Sequence, residues 1–176
     1  MCIIILKQLK IYNENVINLL DAPVGRTEKI KYENNLIVID YAHTPDAVSK
    51  IISNVKELLP NNIYTIIGCG GNRDKTKRKI MGKIATDLSD FVIFTNDNPR
   101  YENPDAIIND MIIEIEKHNY QIIKNRKKAI KKGVQMLKEN DILLVLGKGH
   151  EEYQIVKDRK IYFSDKLEVL KYIRRW

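Results

Sequence analysis

Cysteine is nearly absent: Cys2 and Cys69 are the only two in 176 residues, too few for a disulfide scaffold or a four-ligand zinc site. So few cysteines place the chain by default in a reducing, cytoplasmic setting. No apolar run approaches the roughly 20 residues that a membrane-spanning helix requires. Lys7 breaks the opening Met1-Cys2-Ile3-Ile4-Ile5-Leu6 before any small-residue cleavage site, so no secretory signal is expected there. Internal repeats and low-complexity tracts are also missing, which excludes a solenoid. The basic run Lys75, Lys77, Arg78, Lys79 has no interleaved aromatics. It therefore reads as the exposed first turns of a helix rather than a nucleic-acid patch.

What is present is an ordinary globular composition, 44% hydrophobic and 30% charged, enough apolar surface for a sizeable core. Thirty basic against 23 acidic residues give a net charge of +7. Such an excess attracts anions, including nucleic acid, nucleotides and phosphorylated metabolites. It equally suits a chain rich in Lys, Ile and Asn throughout.

From Tyr32 onward, short apolar runs alternate with longer amphipathic stretches. Residues 36–39, 63–67, 91–94, 121–123 and 142–146 are short, mostly apolar runs rich in β-branched residues, as expected of strands buried on both faces. Helices are predicted over 45–59, with Ala47, Ile51, Val55 and Leu58 on one face, and over 76–88, 104–117 and 126–138. A last helix begins at Asp165, after a hairpin within 153–163. The alternation predicts an α/β fold, a Rossmann-like, mostly parallel sheet of about six strands with helices on both faces. Residues 1–22 break this rhythm. They read as helical pieces that start inside an apolar pattern without a capping residue, as in a chain cut from something longer.

Ligands of open parallel sheets bind beyond the carboxyl ends of the strands, and polar clusters follow four of these runs. They are Asp40-Tyr41-Ala42-His43-Thr44-Pro45, Gly68-Cys69-Gly70-Gly71-Asn72-Arg73-Asp74-Lys75, Thr95-Asn96-Asp97-Asn98-Pro99-Arg100, and Gly147-Lys148-Gly149-His150-Glu151. Four such clusters along one sheet edge favour a site over packing. The glycine cluster is not a dinucleotide fingerprint, because the third glycine is missing. Nor is it a phosphate loop: Asp74 precedes Lys75-Thr76 where that motif needs glycine, and a carboxylate would repel phosphates. His43, in a strand-end loop before Pro45, reads as a ligand contact. His150 reads as orienting its loop, and His118 as a surface residue. No spacing of His, Cys and Asp suits a structural metal site.

Taken together, these clusters resemble the C-terminal domain of the Mur ligases. The matching residues are Val24-Gly25-Arg26-x-Glu28, Asp40 to Ala47, Gly68-Cys69-Gly70-Gly71, Arg73-Asp74-Lys75, Asp97-Asn98-Pro99-Arg100 and Gly147 to Glu151, in the family's order. The resemblance covers essentially the whole chain. It implies that residues 1–22 are the tail of a central ATPase domain. Residues 23–176 would form the amino-acid-binding domain, packing on that central domain in a three-domain enzyme. ATP and Mg2+ are the implied cofactors, with their sites largely in the central domain, since this chain has no Gly-Lys-Thr/Ser loop. The chain alone is therefore expected neither to hydrolyse ATP nor to form the amide bond.

The implied chemistry is activation of a carboxylate by ATP to an acyl phosphate, followed by attack of an incoming amine, in peptidoglycan synthesis. The implied substrates are UDP-MurNAc-L-Ala-D-Glu and meso-diaminopimelate or a close analogue such as lanthionine; neither nucleic acid nor membrane is an expected partner. By the same resemblance Arg73, Asp97, Asn98, Pro99, Arg100, Gly147 and Glu151 contact the diamino acid, and Arg26, Asp40 and His43 the nucleotide. Asn72 departs from the family, which commonly has Asp there. The chemistry is sensible: an arginine fork grips a carboxylate, while Asp97, Asn98 and Glu151 could receive the far ammonium. Arg100 decides the substrate class, because lysine-adding relatives usually lack it. The rival readings are a stand-alone module binding an amino acid or nucleotide, and a related ligase of the folylpolyglutamate or cyanophycin type.

Overall fold

The computed structural model describes residues 27–173, so the expected ATPase-domain tail at 1–22, its boundary and Arg26 lie outside the described residues. Within them the chain forms β1 (Glu28–Tyr32), β2 (Asn35–Asp40), α1 (Pro45–Lys56), β3 (Ile63–Ile67), α2 (Thr76–Leu88), β4 (Phe91–Phe94), α3 (Pro104–Ile112), β5 (Tyr120–Ile122), α4 (Arg126–Met136), β6 (Ile142–Leu146), β7 (Tyr153–Val156), β8 (Arg159–Tyr162) and α5 (Asp165–Ile173). The six-stranded sheet runs β1-β2-β6-β3-β4-β5. Every neighbouring pair is parallel except β1 with β2. The expected α/β architecture is what forms.

Period-two alternation sorts the strand side chains onto two cores. Val38, Ile63, Ile67, Val92, Phe94, Leu144 and Leu146 face α1, α2 and α3. Ile37, Ile39, Ile66, Ile93, Leu143 and Val145 face α4 and α5. Both sets are buried because β6 inserts between β2 and β3, so the middle of the sheet is covered on both sides. The excursion from β5 back to β6 reverses direction across the sheet, and a right-handed crossover must then place α4 on the opposite face from α1 to α3. Helix starts are written locally: the side chains of Thr44, Asn103 and Asn125 accept from the amides of Ala47, Asp105 and Lys128, satisfying orphan first-turn donors.

Four expectations need correction. β1 escaped the sequence reading: its Lys29 and Lys31 point outward and Ile30 inward, and such an edge strand carries little apolar signal. Helix α1 ends at Lys56, and Leu58, placed on its apolar face, is 58% exposed; Val48 and Ile52 are buried instead. Helix α3 stops at Ile112 rather than at residue 117. The chain must extend to reach the sheet edge, where Asn119 spans the carbonyls of Thr86 and Ser89. Finally, Arg78 is no exposed first-turn cation: it is fully buried in α2, bonded to Glu102 and Asp110.

Candidate functional site

The carboxyl ends of β2, β3, β4 and β6 open into one cleft of about 500 Å³. Seven of the sequence-predicted residues meet in its wall: His43, Arg73, Asp97, Asn98, Arg100, Gly147 and Glu151. Pro99 is buried beside them, its carbonyl accepting from the Glu102 amide at 3.0 Å. Asp40 stands at the edge rather than in the wall. One of its oxygens accepts from the Thr27 amide at 2.6 Å and the Thr27 hydroxyl at 3.1 Å, the other from the Ala42 amide at 2.8 Å. It thereby pins the strand-end loop.

Cations gather around the glycine turn. A Cβ built on Gly70 would stand 2.9 Å from Arg100 Nη1 and 3.8 Å from Arg73 Cγ, so both arginines border this residue. Arg100 Nη1 donates to the Gly71 carbonyl at 2.9 Å. Neither arginine has an ion-pair partner among the described residues, and Arg73 is exposed. Lys77, also in the wall, donates to the His43 carbonyl at 3.0 Å. The backbone of Arg100 adopts φ +53°, unusual for a non-glycine residue. The β7–β8 hairpin holds it there: Arg100 donates to Ile155 at 3.0 Å, and Lys157 donates back to Arg100 at 2.8 Å.

Carboxylates gather on the β6 side. Asp97 is 6% exposed, and no hydrogen bond reaches its carboxylate among the described residues; its nearest cation is Lys148 Nζ at 3.8 Å. Burial pushes its pKa up, Lys148 and Arg126 pull it down, and Glu151 and Asp165 raise it again. Gly147, at φ +109°, keeps the approach open, since a Cβ there would stand 2.9 Å from Asp97 Oδ2. Lys148 is fully buried behind the wall, donating to Asn98 Oδ1 and to Glu151 Oε2, each at 3.0 Å. Asn98 Oδ1 also accepts from the Ile155 amide at 3.0 Å, and Asn98 Nδ2 donates to Glu151 Oε2 at 2.8 Å. Both lone pairs of the Asn98 carbonyl are thus spent. Asn98 is a tie between loop and hairpin, and the open acceptors are Asp97 and Glu151 Oε1.

At the mouth, the Tyr41 ring meets the His43 imidazole edge-on at 4.6 Å and lies 5.4 Å from His150. Burial, with Glu151 and Asp97 nearby, pushes the Tyr41 phenol up, so it stays protonated. His43 Nδ1 contacts the Tyr41 carbonyl at 2.8 Å, which selects the Nδ1–H tautomer and leaves Nε2 outward for a ligand. Burial pushes the Cys69 thiol up to about 12, which makes it inert wall. Among the described residues no group of three His, Cys, Asp or Glu side chains could hold a metal ion, so these residues do not by themselves fit a Mg2+ site.

Tyr41, Lys148, Tyr153 and Ile155 were not singled out as site residues from the sequence, and Lys77 was read only as part of the exposed first turns of a helix. Lys148 lay inside a quoted cluster, but nothing local marks it as buried. Tyr153 and Ile155 carry no signal, because the hairpin's docking depends on Asn98 and Arg100.

A family model described as "Mur ligase, glutamate ligase domain" matches residues 25–149. The UDP-N-acetylmuramoyl-L-alanyl-D-glutamate–2,6-diaminopimelate ligase 1 of Clostridium acetobutylicum is 45% identical over 161 residues, 90% of this chain and 33% of the relative. The corresponding ligase of Rickettsia bellii is 50% identical over 153 residues, 86% of this chain and 32% of its own length. A solved structure of a UDP-N-acetylmuramoyl-L-alanyl-D-glutamate–2,6-diaminopimelate ligase superposes with a TM-score of 0.82 at 35% identity. It covers 98% of this chain and 36% of that one. The chain spans about a third of the length of the curated relatives it matches.

Proposed function

The chain belongs to the Mur ligase family, and we propose that it is the domain that binds the incoming diamino acid in an ATP-dependent, diaminopimelate-adding ligase of peptidoglycan synthesis. One observation carries this reading. Among the described residues, two arginines without ion-pair partners border Gly70, and a buried carboxylate without a hydrogen bond faces the same cleft. An amino acid charged at both ends satisfies both at once. Arg100 and Arg73 offer forked donors to its carboxylates, and Asp97 with Glu151 accepts its far ammonium. Pairings of this kind discriminate strongly, because an analogue lacking one charged group leaves a buried partner unsatisfied.

In the reaction, ATP would phosphorylate the acceptor's carboxylate, releasing ADP, and the amine would attack the resulting acyl phosphate, forming the amide and releasing phosphate. This chain's part is to fix the far end of the diamino acid and so aim the reacting amine. The outward Nε2 of His43, beside the Tyr41 ring, suits a contact with the nucleotide. Lys77 brings positive charge to the same edge. Asp40, its carboxylate engaged with Thr27 and Ala42, shapes the loop that carries His43.

Calorimetric titration of meso-diaminopimelate and of L-lysine tests the reading. Binding of the former at least tenfold tighter is the expected result, since lysine lacks the distal carboxylate. Equal affinities, or none for either compound, would overturn it.

A further inference from the structure

We propose that Lys148 is a positioning residue for ammonium recognition: from behind the wall it holds Glu151 and Asn98 in place and offsets one of the two carboxylate charges of Glu151 and Asp97, so that this side of the cleft is left wanting one ammonium. This rests on the proposed reading of the cleft as a diamino-acid site and adds a residue that touches no substrate.

The geometry supports it in three ways. Lys148 is fully buried, yet its Nζ lies 3.0 Å from Asn98 Oδ1, 3.0 Å from Glu151 Oε2 and 3.8 Å from Asp97 Oδ1. A lysine is almost never fully buried unless it is paired. Second, these bonds choose what faces the cleft. Glu151 Oε2 takes two donors, from Lys148 and Asn98, so Oε1 is the free oxygen. Occupying the Asn98 carbonyl leaves that side chain only an N–H to offer. Third, the charges count to a defined excess. Facing Asp97 are Lys148 and Arg126 on the positive side and Glu151 and Asp165 on the negative side. Arg126 and Asp165 already form a two-pronged pair at 2.8 and 2.7 Å. What remains around Lys148 is two carboxylates on one lysine, Glu151 at 3.0 Å and Asp97 at 3.8 Å, one negative charge in excess on this side of the cleft.

Without Lys148 the buried Asp97 and the half-buried Glu151 would lose the cation they share. Such groups take up a proton rather than stay charged, and a protonated carboxyl is a poor acceptor for an ammonium. Removing Lys148 should therefore damage recognition of the far ammonium and leave recognition of the far carboxylate, at Arg100, intact.

The experiment compares wild type with Lys148→Met against three probes: meso-diaminopimelate, L-2-aminopimelate, which lacks the distal ammonium, and L-lysine, which lacks the distal carboxylate. Wild type is expected to prefer diaminopimelate over each analogue by about tenfold or more, the discrimination of one charged hydrogen bond. In Lys148→Met the preference over L-2-aminopimelate should fall below about threefold at pH 7 and recover as pH is raised and the Asp97 carboxyl ionises. The preference over L-lysine should hold. General damage to the fold would reduce both preferences together and recover neither with pH, and that result overturns the inference. So does an unchanged ammonium preference. If wild type itself shows no preference, the reading of the cleft fails and this inference falls with it. Should Lys148→Met not fold, the wild-type Lys148 side-chain 15N resonance decides. It must shift with meso-diaminopimelate and not with L-2-aminopimelate; equal shifts with both, or none, overturn the proposal.

Discussion

The Arg100 guanidinium lies over Gly70, so close that a Cβ at position 70 would stand 2.9 Å from Nη1. The cationic side of the cleft therefore depends on a residue with no side chain. Gly70→Ala leaves every core contact intact but pushes the guanidinium off its seat. We expect a loss of affinity for meso-diaminopimelate of roughly three- to tenfold with little change in Tm, measured by calorimetry and thermal unfolding. An affinity within twofold of wild type would show that the arginine is not held there for binding.

Arg100→Ala goes further, since it removes both charge and fork and leaves a ligand carboxylate unpaired, a loss on the order of 2–5 kcal/mol. At about 1.4 kcal/mol per tenfold, diaminopimelate affinity should fall about 30-fold or more. Arg100→Lys should recover only part of it, because a point charge cannot replace a two-pronged donor. Nucleotide binding, which we propose involves His43, should change much less.

Asp97 is set for binding at the expense of folding. Burial raises its folded-state pKa above the unfolded value, so the folded chain binds the proton more tightly. The stability this contributes is present below the ordinary aspartate range and is lost as pH rises through the folded value. Asp97→Asn should therefore raise Tm at neutral pH, by about 2–4 °C for each 1 kcal/mol relieved, while weakening diamino-acid binding. Its advantage over wild type should vanish in acid. A Tm below wild type at every pH would refute this account.

Glu102 behaves oppositely. Hydrogen bonds from the buried Arg78, and from the Asn72 amide, hold its carboxyl down at about 2, against an ordinary value of 4.5. Stability from this pair is complete above the unfolded value and drains away as pH falls from about 4.5 towards 2. Glu102→Gln should flatten that part of the acid-denaturation curve. Arg78 keeps Asp110 as a partner at 2.9 Å, so the loss at neutral pH should be about 1–3 kcal/mol. Urea unfolding at pH 7 and pH 3 measures both.

Arg126 and Asp165 are each buried, and their two-pronged pair ties the start of α4 to the start of α5, with Arg126 Nη2 also reaching the Leu146 carbonyl at 2.9 Å. Removing one member leaves a buried charge alone, at a cost of about 3–5 kcal/mol. Arg126→Met should therefore be among the most destabilising single changes, and Asp165→Leu in the same chain should restore much of the loss. Additive losses in the double variant, read by urea unfolding, would contradict the pairing.

The amino-acid sequence by itself determined the sheet, the helices that cover it and the edge where the site lies. β-branched runs ending in polar clusters and side-chain caps such as Thr44 and Asn125 are local properties, readable within a dozen residues. Local pattern also placed His43, Arg73, Asp97, Asn98, Arg100, Gly147 and Glu151 at strand ends, which the fold then gathers into one cleft. Tertiary structure alone decided which charges are buried. Arg78 and Lys148 resemble any surface cation in sequence. Each is buried because carboxylates or amides far along the chain, Glu102 for one and Asn98 for the other, compensate the charge. It likewise decided that the Asn98 carbonyl is spent on Lys148 and Ile155 rather than open to an ammonium. Burial of a charge is affordable only where a partner waits, and the partner's position is a property of the folded chain.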